Sequence, residues 1–141
     1  MYKNILNFFK RYRSEEEGAT AVEFGLIGIP FLLILFGIME SGRMMWTMNG
    51  IQYAVEDTSR YAALNPTLGT ADYQTYAAGK LQEMLVPSDD LQITSSTVTS
   101  SGVDFVEISA SYDHATMLNG FLPAEFGSMT LRSAARKPVI N

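Results

Sequence analysis

The strongest constraint on this chain is the stretch from Gly18 to Met39, GATAVEFGLIGIPFLLILFGIM, which is apolar almost throughout and is interrupted near its start by one carboxylate, Glu23. Ala19 to Met39 is about 21 residues; at about 1.5 Å per helical residue it spans about 31 Å, against a bilayer hydrocarbon core of about 30 Å. The stretch is therefore expected to be a membrane anchor that also serves as an assembly surface.

The rest of the chain is limited by what the anchor leaves. Of 141 residues, enough remain for one modest soluble domain. Cysteine is absent, which removes disulfides and thiolate metal sites and leaves packing to hold the fold. The net charge is -5, and the few bases beyond the apolar stretch are scattered, which argues against a nucleic-acid footprint. Hydrophobic residues make up 47% of the chain, yet mean hydropathy is only just above zero, as a polar domain joined to one very apolar segment requires. No internal repeat or low-complexity tract occurs.

Residues 1–18 place Lys3, Lys10, Arg11 and Arg13 before the apolar stretch, followed by Glu15, Glu16 and Glu17. Bases near a membrane helix favour the cytoplasmic side and acids carry little weight, so the N-terminus is expected in the cytoplasm and the C-terminal part translocated. Ile5, Leu6, Phe8 and Phe9 lie among those bases, so the segment reads either as an interfacial amphipathic helix or as a removable leader. An ordinary secretory signal has an apolar core of about 7–15 residues with a small-residue cleavage step on its far side. Here the small residues Gly18, Ala19 and Ala21 stand at the near end, so cleavage there keeps the apolar stretch in the mature protein.

A carboxylate inside a membrane helix costs about 2.5–3.5 kcal/mol on insertion scales, so Glu23 must be paired, protonated or close to the headgroups. Ala21, Gly25 and Gly28 recur at helical spacing and form a small-residue stripe. Such stripes let helix backbones pack closely, although glycine is also simply common in membrane helices. Pro30 removes one backbone donor within the run.

Beyond the anchor, Met44, Met48, Ile51, Val55, Thr58 and Ala62 alternate at spacings of four and three. This seam carries the helix on to Leu64, about 45 residues or about 68 Å from Ala19, and Asn65-Pro66 stops it. Contact with the protein's own domain is expected for the distal half of the seam, and inter-subunit packing for the proximal half. Met39, Met44, Met45 and Met48 form a soft apolar collar around Trp46, a residue suited to the membrane interface. A second, amphipathic helix is expected with Tyr73, Ala77, Leu81 and Leu85 on one face, closed by Pro87. Leu91–Thr99 and Val103–His114 read as a hairpin turning at Ser100-Ser101-Gly102, with Val106, Ile108, Ala110 and Tyr112 on one face. Met129–Arg136 reads as a third strand, and Asn119–Ser128 as a long connection and candidate contact loop.

Catalytic signals are weak. His114 is the single histidine, and adjacent Asp113 points to the opposite face of a strand. A strand-edge or loop role is expected for His114. The pairs Asp89-Asp90 and Glu56-Asp57 read as solvated turn or helix surface. No phosphate-binding loop and no cofactor motif occurs.

Gly18, the small residues Ala19 and Ala21, Glu23 followed by Phe24, the run GIPFLLILFGIMESGR and the later YAVEDTSRYAAL together resemble the TadE-like pseudopilins of the tight adherence (Tad) pilus system. VEISASYDHATML and MTLRSAARKPV extend the resemblance more faintly. The resemblance implies an α+β fold: a long N-terminal transmembrane helix leading into a pilin-like head with a second helix and a three-stranded antiparallel sheet. It implies a leader at 1–18, the long helix at 19–64 and the head at 65–141. It further implies cutting between Gly18 and Ala19 by a prepilin peptidase. Glu23 then becomes the fifth mature residue, available to pair with the amine of Ala19 on a neighbouring chain. Phe24 stands where major pilins of the system often carry tyrosine, which suits a minor pilin better than the main filament subunit.

The implied protein is not an enzyme and takes no cofactor. It sits in the inner membrane or enters an extracellular pilus, and its partners are the peptidase, other pilins or pseudopilins and the Tad assembly machinery. The competing reading is a single-pass envelope protein whose head binds another protein or a ligand without entering a filament.

Overall fold

A computed structural model of the protein describes residues 2–117, 119 and 127–140, with side chains from residue 18 onward. The elements in order are α1 (Tyr2–Leu64), α2 (Thr70–Glu83), β1 (Leu91–Ser100), β2 (Val103–Ala115) and β3 (Ser128–Pro138). The architecture is the expected α+β one, with a single antiparallel sheet ordered β1-β2-β3. The chain divides into two compact units, Met1–Met39 and Glu40–Asn141, so residues 40–64 of α1 belong with the head.

In the first unit α1 carries the apolar run, and no part of its most apolar stretch is buried within the chain. Val22, Phe24, Leu26, Ile27, Ile29 and Phe31 are all exposed, and Pro30 lies inside the helix. A helix apolar on every side must be covered by something other than water, either lipid or other helices.

In the second unit the seam becomes the centre of a core. Ile51, Val55, Thr58 and Ala62 are each 0–1% exposed, while Met44 and Met48 stay half-buried. The residues between them are small, with Ala54, Ser59 and Ala63 also buried, so neighbouring elements approach the helix backbone closely. At Gly50 the approach is close: an added Cβ would lie 3.3 Å from Val86 Cγ2 and 3.5 Å from Leu81 Cδ1. The seam's polar member, Thr58, is fully buried, and its Oγ1 has no hydrogen-bond partner.

α1 ends at Leu64 as expected. The Asn65 side chain donates to Tyr61 O at 2.9 Å, and the Tyr73 hydroxyl donates to Asn65 O at 2.9 Å. α2 opens where the Gly69 N–H donates to the Asp72 carboxylate at 3.0 Å, and it buries Tyr73, Ala77 and Leu81.

The expectation that Leu85 continues this face is overturned: Leu85 is 88% exposed, with φ 57°. The Leu85 N–H donates to Gln82 O and the Val86 N–H to Leu81 O, the paired bonds of a helix end closed by a left-handed residue. That closure reverses the chain one residue early, so Val86 takes the buried place and Leu85 turns outward. Glycine is the usual occupant of the position; a leucine there costs about 1–2 kcal/mol.

The hairpin turns at Ser101 and Gly102, with φ 54° and 78°, as a two-residue turn matched to strand twist demands. Val106, Ile108, Ala110 and Tyr112 are buried, and Leu131 and Ala135 of β3 pack against them. Both outer strands are edges, and β1 is partly closed by a side chain: Gln74 donates to Leu91 O and accepts from the Ile93 N–H, each at 2.7 Å. An amide standing in for a neighbouring strand blunts an edge otherwise open to pairing. Most of the candidate contact loop Asn119–Ser128 lies outside the described residues.

Two substitutions separate packing from polarity in this core. Gly50→Leu is expected to destabilise the head by about 1–3 kcal/mol through overpacking against Leu81 and Val86. Thr58→Val, which removes an unpartnered buried hydroxyl, is expected to stabilise it by about 1 kcal/mol. Denaturant melts of the full chain in detergent measure both, and a Thr58→Val loss larger than that of Gly50→Leu contradicts this account of the core.

Candidate functional site

The residues singled out for processing and assembly all lie on α1 in the first unit. Gly18, Ala19, Ala21 and Glu23 are exposed, and Gly25 and Gly28 are half-buried. A Cβ on Gly25 would meet nothing within 4 Å, and one on Gly28 only Phe24 Cε1 at 3.8 Å. At about 100° of turn per residue, Ala21, Gly25 and Gly28 fall within about 60° of one another, whereas Ala19 and Glu23 stand on the opposite side of the helix. The small-residue stripe and the Ala19/Glu23 pair therefore present two separate faces.

A second polar constellation lies where α1 enters the head, and sequence reasoning missed it. His114 is placed on the central strand, 5% exposed, which corrects the expected strand-edge or loop role. Its Nε2 is 2.9 Å from Glu40 Oε1 and 3.2 Å from an Arg43 guanidinium nitrogen. The other Glu40 oxygen accepts the Met117 N–H at 3.1 Å, and Arg43 donates to Ala115 O. Burial alone would push the Glu40 carboxyl up. The Met117 N–H, the His114 bond and the Arg43 charge outweigh it and hold the group below its ordinary value.

This cluster ties one turn of α1 to the end of β2. One imidazole nitrogen facing both a carboxylate and a guanidinium donates to the first or accepts from the second, so its chemistry is that of a clamp. Asp113 faces away, accepting from the Thr130 hydroxyl at 2.6 Å. Glu40 and Arg43 form an ordinary i,i+3 pair, and His114 lies 74 residues further on, so nothing local in the sequence signals their meeting.

The pair Glu56-Asp57 lies on the helix surface, as expected, and both side chains are half-buried there and paired. Glu56 accepts from Lys137 Nζ and, at 3.2 Å, from Arg60, and the Lys137 ammonium leads in holding its carboxyl below the ordinary value. Asp57 accepts the Tyr76 hydroxyl at 2.9 Å and lies 3.8 Å from Lys80 Nζ, while Tyr76 stacks on Tyr61 with ring centroids 4.2 Å apart. These contacts join α1 to β3 on one side and to α2 on the other. Among the described residues no group of three or more His, Cys, Asp or Glu side chains is arranged to hold a metal ion.

Compared with known proteins, residues 18–60 match the family model described as TadE-like protein. No curated protein and no solved structure matches the chain.

The Glu40 clamp has a pH signature. A carboxyl whose folded pKa lies below its ordinary value of 4.5 contributes stability fully above that value and loses it as pH falls through the lower folded one. Unfolding of the full chain between neutral and strongly acidic pH is expected to show that loss, and Glu40→Gln to reduce the acid dependence while lowering stability at pH 7.

Proposed function

We propose, from the premise that residues 18–60 of this chain are TadE-like, that the protein is a membrane-anchored minor pilin or pseudopilin required for assembly or priming of a Tad-type adhesive pilus. The observation that carries the reading is the extent of that match. It takes in the small-residue step at Gly18, the apolar run with Glu23, and the buried face of α1 as far as Arg60. The role is structural rather than enzymatic, and its instrument is α1.

In this reading residues 1–18 are a leader removed by a prepilin peptidase between Gly18 and Ala19, 19–64 are the anchor and assembly helix, and 65–141 complete the head. The chain crosses the inner membrane once, with its N-terminus cytoplasmic and its head translocated, and passes from there into the pilus or its base. Glu23 pairs with the new amine of Ala19 on a neighbouring chain, which removes the cost of an unpaired carboxylate in an apolar surrounding. Ala21, Gly25 and Gly28 accept a second helix at close range on the other face. Two opposed contact faces on one helix are what a subunit needs to sit between neighbours rather than at the end of a pair.

N-terminal sequencing of the membrane-extracted chain from cells with an active prepilin peptidase is expected to begin at Ala19. An intact leader there overturns the reading. Glu23→Ala is expected to leave cleavage in place and to reduce piliation about tenfold or more, because the Ala19 amine of the neighbouring chain loses a charge-assisted partner. Normal piliation of that variant removes the pairing role.

A further inference from the structure

A cavity of about 360 Å³ opens between the first head turns of α1, the segment after α2 and the end of β2, wholly inside the Glu40–Asn141 unit. Trp46, Val86 and Pro87 give it an apolar wall, and Arg43, Asp90 and Tyr112 bring polar groups to it. Small-molecule sites occupy about 300–1,000 Å³ and combine such a wall with a few convergent polar groups.

Tyr112 is the group that the packing of the head leaves unaccounted for. The residue is 5% exposed, yet among the described residues its hydroxyl has no hydrogen-bond partner, where a buried hydroxyl is normally bonded. Thr58 Oγ1 is the one unpartnered side-chain atom that the described residues enclose completely, so the Tyr112 hydroxyl opens onto the cavity that its residue lines. Burial and then the Asp90 charge push its pKa up, against the opposing charge of Arg43, and it stays a protonated donor at neutral pH. Arg43 also has donors to spare. Its bonds to Glu40, His114 and Ala115 O all run through one terminal nitrogen, which leaves the other terminal nitrogen and Nε unpartnered among the described residues.

Charge complementarity selects the ligand. A carboxylate suits the unused edge of the guanidinium together with the Tyr112 hydroxyl. A plain anion, however, meets Asp90 on the same cavity and Glu40 behind the guanidinium, while a plain cation meets Arg43. Asp90 and Arg43 both act on the Tyr112 hydroxyl, so the two opposite charges lie around one point. A molecule with a carboxylate and an ammonium a few bonds apart answers both, and an apolar side chain on it covers the wall.

We propose that this cavity binds a free apolar α-amino acid, with its carboxylate on Arg43 and the Tyr112 hydroxyl, its ammonium on Asp90 and its side chain against Trp46 and Pro87. The site lies within the head and is independent of the pilus reading.

The chain's single tryptophan lines the cavity and reports its occupancy. L-leucine titrated into the full chain in detergent is expected to change Trp46 emission with half-saturation at about 1 mM or below, and calorimetry to show the matching heat. Leucinamide, which lacks the carboxylate, and N-acetyl-leucine, which lacks the ammonium, are each expected to bind about tenfold more weakly, the order of one lost charge-assisted bond. Tyr112→Phe removes a hydroxyl that bonds nothing in the free chain, so it is expected to fold normally and to weaken leucine binding about tenfold. Asp90 is exposed, so Asp90→Asn probes the site without touching the core, and it is expected to abolish the preference for leucine over N-acetyl-leucine. Absence of heat and of a Trp46 response well above the millimolar range overturns the proposal. Heat without a Trp46 response also overturns it, because binding is then elsewhere. Equal binding of leucine and its two derivatives overturns it as well, since the cavity is then only an apolar hollow.

Discussion

Ile51, Val55, Thr58 and Ala62 form one helical face against which α2 and the sheet close, and the rest of the head depends on it. The face works because it is narrow. Gly50, Ala54, Ser59 and Ala63 keep the helix surface low, and at Gly50 Leu81 and Val86 reach almost to the backbone. Close packing of this kind tolerates little added volume. It also leaves a buried hydroxyl at Thr58 without a partner, a polar cost placed at the centre of an otherwise apolar seam.

Polar contacts then fix how the layers sit on that face. Glu40 and Arg43 bind the end of β2, Glu56 reaches Lys137 on β3, and Asp57 takes the Tyr76 hydroxyl from α2. Each acid on the head half of α1 therefore addresses a different element. Exposed ion pairs contribute little energy singly. The contacts around His114 matter more because the imidazole is buried and a lost partner there leaves a polar group unpaired.

The same helix meets two opposite solvent problems. From Gly18 to Met39 it is apolar on nearly all sides and its most apolar stretch is uncovered by the chain; after Glu40 it is apolar on one face and covers that face itself. The change from all-round to one-sided apolarity marks where lipid or neighbouring helices give way to an internal core. Ala19 and Glu23 lie opposite the stripe of Ala21, Gly25 and Gly28, so the uncovered part has distinct faces for distinct partners.

Much of this was legible in the residues alone. Periodicity located the long helix to Leu64, the buried faces of α2 and β2 and the hairpin at Ser101-Gly102, because burial period and turn chemistry are local properties. The apolar run and its single carboxylate likewise lie within the segment that a family model matches. What the residues left undecided were meetings between distant groups. His114 with Glu40 and Glu56 with Lys137 join positions 74 and 81 residues apart, and no local pattern encodes which strand end faces which helix turn. Leu85 failed for a related reason: its spacing continued the face of α2, but the closing bonds to Leu81 and Gln82 and the space beneath Gly50 gave the buried place to Val86. Sequence by itself determined which faces are apolar; only the tertiary structure decided which polar groups those faces bring together, because that depends on the layers having already packed.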